Sequence, residues 1–369
     1  LKETGMNMER VRQKNRSLIL RYINNKGPAS RKEIARESGL TQASVTQITT
    51  ALIEEGILKE VGTSGVKSSN PGRREIFLDI EAGRYLTYAV NMEPDKTTIA
   101  ICDFLGNLIL GPDKKPMLRQ LPTDKEAKPE QFLDAICQVC TEMSSALKAK
   151  IRTRIENFSF AITGIVDREN GIARRAYGIW NEEVDVRGLI NAKLGLPVLV
   201  ENNVDAFATA VLFFGAGRKY DNLLVIKWGP GVGSSVVIDS HIYHGRHEKT
   251  AELGHTIVDP NGKPCVCGRR GCLETIVSAD ALSQLGTEEE KQAVIDVFAR
   301  AIVNSGTILA PNRIVLYGAL SDQDALREEL IRGCAAYDPS FGEKRILHSS
   351  LIGKESYIGP VALYAQTKL

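Results

Sequence analysis

The feature that most constrains this chain is the run Cys265-Val266-Cys267-Gly268-Arg269-Arg270-Gly271-Cys272, with His255 ahead of it. One imidazole and three thiolates make a complete tetrahedral set for Zn²⁺, and the glycines allow the tight turns that wrap a chain around an ion. Four protein ligands leave no open position. The expected ion is therefore structural rather than a water activator, one Zn²⁺ per chain on His255, Cys265, Cys267 and Cys272. Three free thiols in a surface loop fit poorly, because free cysteine prefers burial in apolar elements. Cys137 and Cys140 in the helical pattern FLDAICQVC, Cys102 in a strand and Cys334 in a helix read as packing. His241, His244 and His247 share a hairpin without further ligands and read as ordinary surface residues. Seven cysteines in 369 residues are too few, and odd in number, for a disulfide scaffold, which points to a reducing cytoplasm. No stretch nears the roughly 18 uninterrupted apolar residues of a membrane span. No apolar segment follows the N-terminal charges, so no secretory signal is expected. The chain does not open on methionine, and its start is expected to lie upstream.

The net charge of +2 conceals an asymmetry: residues 1–80 hold 14 Lys/Arg against 9 Asp/Glu, the remainder 33 against 36. A basic segment on a mildly acidic body suggests a polyanion-binding module. Over residues 11–25, Leu18, Ile19, Tyr22 and Ile23 share one face of a helix, which Gly27-Pro28 stops. Ser30-Arg31-Lys32-Glu33 is a capping-box pattern opening a short helix with Ile34 and Ala35, ended by Gly39. Thr41 caps a longer helix with Val45, Ile48, Leu52 and Ile53 inward, closed by Gly56. Two strand-like runs, ILKEVG and REIFLDI, bracket a Gly-, Ser- and Lys-rich loop ending Pro71-Gly72-Arg73-Arg74. The whole predicts a winged helix-turn-helix over 1–80 that binds double-stranded DNA. Gln42, Ser44, Thr46 and Gln47 would read base edges, and Arg73 and Arg74 would enter a minor groove or clamp phosphates. A helical bundle with a solvated polar face does not account for the basic-tipped hairpin. An RNA module would want aromatics for base stacking there.

Residues 81–369 read as an α/β body. Two segments look alike at an offset of 136 residues, counted from Asp103 to Asp239: AVNMEPDKTTIAICDFLGNLI from Ala89 and VIKWGPGVGSSVVIDSHIYHG from Val225. Each is strand, tight turn, strand, Asp, second turn. A duplicated lobe facing a ligand cleft is implied, although two chance hairpins would look the same. The turn Gly229-Pro230-Gly231-Val232-Gly233-Ser234 could offer backbone N–H groups to a phosphate, but turns use glycine anyway. Its counterpart, Asn91-Met92-Glu93-Pro94-Asp95-Lys96, puts two carboxylates in that place, and like charge there is hostile to a triphosphate.

The stretch Ala251-Glu252-Leu253-Gly254-His255 followed by CVCGRRGCLE resembles the signature of the repressor–ORF–kinase (ROK) family of sugar kinases and sugar-responsive repressors. ENNVDAFATAVLFFGAGR and KWGPGVGSSVVID resemble the family's other blocks, and the similarity runs from about residue 85 to the end. The winged helix ahead of it is similar to the repressor branch. The resemblance implies a two-lobed, ribonuclease-H-like body of the actin/sugar-kinase type, with the zinc motif at 255–272. It also implies sugar contacts at Glu252, His255, Glu274, Asn202 and Gly164, with Asn203 beside them and Tyr177 near another. In family kinases an Asn-Asp pair binds sugar and supplies the general base. Here the matching pair is Asn202-Asn203, and an amide cannot take the proton of a sugar hydroxyl. The first phosphate loop of the kinases corresponds to the acidic turn. Catalysis is expected to be lost.

Three readings follow. The first is a transcriptional regulator, expected to be a repressor of carbohydrate genes, released by a sugar or sugar phosphate. The second is a sugar kinase with an appended DNA-binding domain, which Asn203 and Glu93-Pro94-Asp95 argue against. The third is a regulator whose body binds a protein partner. A homodimer or a dimer of dimers would set two recognition helices about one DNA turn apart on a palindromic operator.

Overall fold

The computed structural model describes residues 8–62, 75–245 and 250–369. The expected wing tip, Arg73 and Arg74 included, and His247 lie outside the described residues.

The N-terminal module begins with α1 (Met8–Lys26). Helix α2 (Arg31–Ser38) opens on the full capping box, with Ser30 Oγ accepting the Glu33 N–H and the Glu33 carboxylate accepting the Ser30 N–H. Thr41 caps α3 (Gln42–Glu54) by accepting the Ser44 N–H. Strands β1 (Ala29–Ser30), β2 (Leu58–Glu60) and β3 (Phe77–Ile80) pair antiparallel in the order β1-β3-β2, which completes a winged helix. Two expected core positions differ. Leu18 is 40% exposed, and Leu20 is buried with Ile19 and Ile23. The cause is that α1 is covered by α2 and α3 and also by the body, so the buried stripe shifts. Ile53 is half-buried, and Thr49, bonded to Arg31 Nε, takes an inward place instead.

The body holds two five-stranded sheets of one design. The first contains β4 (Leu86–Met92), β5 (Lys96–Asp103), β6 (Leu118–Pro122), β7 (Ile155–Ile162) and, after a small sheet of β8 (Ile165–Asp167), β9 (Ile172–Arg175) and β10 (Val184–Asp185), β11 (Val198–Asn202). The second contains β12 (Leu223–Trp228), β13 (Val232–Ile238), β14 (His241–Ile242), β15 (Arg313–Tyr317) and β16 (Ile346–His348). Their orders are β11-β7-β4-β5-β6 and β14-β13-β12-β15-β16. In each, the first three strands form an antiparallel meander and the last two join parallel to the first strand's free edge. The two similar hairpins are therefore the starts of two like lobes rather than a chance match.

Five layers result. Helices α4 (Pro129–Ser145), the short α5 (Ala149–Arg152) and α6 (Val186–Leu194) cover the outer face of the first sheet. Helix α7 (Asn203–Phe214) lies between the sheets. The connectors α8 (Glu274–Val277) and α9 (Ala279–Ser283) lead to α10 (Glu288–Leu309) and α11 (Asp324–Tyr337), which cover the second sheet's outer face. Helix α12 (Ile358–Lys368) crosses α7 in the middle layer at Gly359, where a Cβ would come within 3.0 Å of the Phe207 backbone nitrogen. Cys102, Cys137, Cys140 and Cys334 are buried as packing residues.

The winged helix shares its core with the body: Phe104, Tyr364, Ala365 and Leu369 cluster with Ile19, Leu20 and Leu52. Asn24 Nδ2 of α1 donates to the Phe213 carbonyl at the end of α7 (2.8 Å).

Candidate functional site

His255 closes a 3₁₀ turn over Leu253–His255, and the chain beyond it folds back on itself. Bridges pair Ile257 with Cys272 and Pro264 with Arg270, and Cys265 N–H donates to the Arg269 carbonyl. These local bonds gather the four expected metal ligands. Cys265 Sγ lies 3.5 Å from His255 Nδ1, Cys267 Sγ lies 3.6 Å from Cys272 Sγ, and all four ligand atoms fall within 4.8 Å of one another. Ligands bonded at about 2.0–2.3 Å around a tetrahedral ion stand roughly 3.5–3.8 Å apart, whereas a disulfide needs about 2.05 Å. The thiols are free, and the cluster could hold a metal ion.

The other expected contacts meet on the cleft side of His255. Asn202 caps α7, its Oδ1 accepting the Val204 and Asp205 N–H groups, while its Nδ2 donates to the Gly164 carbonyl (2.7 Å). Gly164 has φ +100°, and a Cβ there would lie 2.0 Å from the Arg175 carbonyl oxygen, so only glycine lets the β9 chain pass so close. That chain carries Tyr177, whose ring stands edge-on to His255 with centroids 5.5 Å apart. With Nδ1 turned to the Cys265 sulfur, His255 Nε2 faces Glu252 Oε2 at 3.5 Å. Burial, then the Glu252 carboxylate, push the Tyr177 phenol up. Asn202, Gly164, Tyr177, His255 and Glu252 thus form one connected arc across both lobes.

Glu274 departs from expectation. Its Oε2 accepts the Val232 N–H at 2.9 Å, so this carboxylate occupies one of the donors that the glycine turn could have offered to a phosphate. Gly229 N–H is likewise spent on the Gly231 carbonyl. Burial pushes Glu274 up, offset by that N–H and by Lys227. The acidic turn of the first lobe also differs: Glu93 is not a bare charge but pairs with Lys227 of β12 at 2.6 Å, across the cleft. Lys227, two residues before Gly229, escaped the sequence reading. Asn203 is buried at the start of α7.

Next to Asn202, burial and then Asp205 push Glu201 up to about 7, against His244, the Asn202 N–H and Arg168. The two described hairpin histidines differ: His244 faces Asp205, whereas His241 Nδ1 lies 2.7 Å from the Asp239 carbonyl oxygen.

On α3, Gln42, Ala43, Thr46 and Gln47 are exposed and Ser44 is half-buried. Thr46 Oγ1 donates to the Gln42 carbonyl, and the Ser44 and Thr41 hydroxyls bond each other, which leaves the two glutamines as the least committed polar groups on that face. Among the described residues no helix is long and apolar enough to cross a membrane.

The ROK family pattern matches residues 89–296, and a winged helix-turn-helix DNA-binding pattern matches residues 12–59. The xylose repressor of Bacillus subtilis is 27% identical over 83% of this chain and 77% of its own length. The DNA-binding transcriptional dual regulator NagC of Escherichia coli is 30% identical over 75% of this chain, which spans 66% of that relative. A solved ROK family transcriptional regulator, a homologue of the E. coli Mlc protein, superposes with a TM-score of 0.76 at 23% identity over 97% of this chain and 96% of that one. A ROK glucokinase from Streptomyces griseus superposes with a TM-score of 0.63 at 23% identity, covering 75% of this chain and 98% of that one. The cysteine–histidine cluster, the twin lobes and the matched patterns agree, and the chain belongs to the ROK family, with a winged helix-turn-helix ahead of its kinase-like body.

Proposed function

We propose that this chain is a cytoplasmic DNA-binding regulator, a repressor of carbohydrate-metabolism genes, controlled by a sugar or sugar phosphate that its body binds without phosphorylating. The observation that carries the reading is α7. Its first turn is capped by Asn202 at the cleft, and its last carbonyls receive Asn24 of the DNA module about 18 Å away, so one rigid helix touches both functions. Residues 1–80 are the DNA-binding domain and 81–369 the effector domain. Glu252, His255, Asn202, Asn203 and Gly164 hold sugar hydroxyls. Glu274 contributes from behind the glycine turn. One structural Zn²⁺ on His255, Cys265, Cys267 and Cys272 fixes the His255 ring so that Nε2 faces the sugar side. That ion's chemistry is architectural: it supplies folding energy and ring orientation. Turnover is absent because Asn203 offers no base and the Glu93–Lys227 pair occupies the cleft where phosphates would need donors. A homodimer presents two α3 helices to a palindromic operator.

On the DNA side, Gln47→Ala is expected to change base preference with little change in salt dependence. Arg73→Ala should weaken binding across sequences and reduce the salt slope by about one. Selection from random duplexes reads both, and enrichment of no sequence would end the DNA-binding reading. On the sugar side, Glu252→Ala should cost about 1.5–3 kcal/mol, roughly ten- to hundredfold in affinity by calorimetry against sugars and sugar phosphates. ATP consumption with any of them would sink the non-catalytic claim. If no sugar binds and Glu252→Ala leaves operator release unchanged, a protein partner replaces the sugar as effector.

A further inference from the structure

We propose that Glu201, Asp205 and His244 form a second metal site, separate from the cysteine cluster, for a divalent ion of the manganese–zinc class. The three side chains come from three segments: the end of β11, the first turn of α7, and the loop after β14 in the other lobe. One ligand atom from each lies within 4.8 Å of the others, and His244 Nδ1 is 3.7 Å from Asp205 Oδ2.

Proximity alone would carry little. Glu201, however, is only 8% exposed, one of its oxygens accepts nothing but the neighbouring Asn202 N–H, and its other oxygen has no hydrogen-bond donor among the described residues. A largely buried carboxylate with one hydrogen bond, beside a second carboxylate, has only His244 and the more weakly acting Arg168 as positive neighbours, and leaves room for further positive charge. A divalent ion supplies it. Two carboxylate oxygens and one imidazole nitrogen suit Mn²⁺, Fe²⁺ or Zn²⁺, with water completing the shell, whereas the three thiolates of the other cluster select softer binding. The ion ties the His244 loop of the second lobe to the start of α7 in the first. Its ligands flank Asn202 and Asn203, so it holds the cleft closed around whatever the cleft binds. This inference does not rest on the sugar reading.

The test uses the full chain with its thiolate cluster loaded as purified. Mn²⁺ is the probe, because a thiolate-rich site competes poorly for it. Loss of the free-ion paramagnetic signal counts bound Mn²⁺, and the expected result is one ion per chain with a rise in melting temperature. Glu201→Gln keeps the shape and removes a buried charge, so it should fold while weakening Mn²⁺ by at least about tenfold. His244→Ala, on a loop, should do the same, and neither variant should gain melting temperature from Mn²⁺. Circular dichroism without the ion establishes that both are folded. The proposal is overturned if the wild type takes up no Mn²⁺ at millimolar concentration, or if folded variants bind it as tightly as the wild type.

Discussion

Cys267→Ser is expected to abolish the metal binding proposed for the cysteine cluster and to loosen the arc of side chains beside it. A serine hydroxyl does not replace a thiolate on Zn²⁺, and three remaining ligands do not close a structural site. Zinc contributes roughly 10–16 kcal/mol of apparent folding free energy in small finger peptides, which have no other core. Here the lobe around the cluster has its own core of Trp228, Phe298, Ile302 and Leu316, so the body should stay folded with a lower melting temperature. The damage falls on His255, whose Nδ1 loses its anchor 3.5 Å from Cys265, and through it on Glu252 and Tyr177. Metal analysis of wild type purified without added zinc should find an equivalent that resists weak chelators, and the variant should lack it. Calorimetry should show sugar affinity down by more than about tenfold, while the N-terminal module, whose shared core with the body runs through Phe104 and Tyr364 and not through the cysteine cluster, keeps operator binding. A metal-free variant that melts and binds sugar as the wild type does would refute the structural role.

What could be read from the sequence follows the range of the forces involved. The capping box at Ser30 and Glu33 and the cap at Thr41 were legible because helix starts satisfy their own first N–H groups from residues three positions away. The gathering of His255 with the three cysteines was legible for the same reason: the cysteines lie within eight residues, and one turn brings His255 to them. The twin sheets were legible because each lobe repeats its opening hairpin. What failed depended on distant partners. Leu20 rather than Leu18 is buried because the body covers α1 from a side that no helical periodicity reveals. The bond from the Val232 N–H to Glu274, 42 residues away, was not foreseen, because a buried carboxylate and an unpaired N–H solve each other's desolvation only once the fold brings them together. His244 read as an ordinary surface residue, whereas it is half-buried against Asp205, 39 residues away, a neighbour that no local pattern announces.

The longest-range surprise, Glu93 with Lys227 across 134 residues, gives the second large effect. The side chains are only 18% and 15% exposed, so Lys227→Ala leaves a largely buried carboxylate without its cation. Removing one partner of such a pair costs about 3–5 kcal/mol, most of it the uncompensated charge rather than the worth of the bridge. The pH dependence identifies the cause. Burial pushes Glu93 up, but Lys227, through charge and hydrogen bond together with Asn91, outweighs it and holds the carboxyl below its ordinary value. A group depressed in the folded state adds stability above its unfolded pKa, about 4.3 for Glu, and loses it as pH falls through the folded value. In Lys227→Ala burial is opposed only by the Asn91 bond and the charge of Lys96, so Glu93 protonates more readily and the penalty fades in acid. Denaturation midpoints should therefore differ strongly between wild type and Lys227→Ala at pH 7 and converge only as pH falls through the depressed Glu93 value of the wild type. Glu93→Gln combined with Lys227→Met removes both charges and should recover most of the loss at pH 7, since no charge is left buried alone. A deficit equal at pH 7 and in acid, or a double variant no better than the single, would mean that Lys227 acts through packing and that the lobes are not held together by this pair.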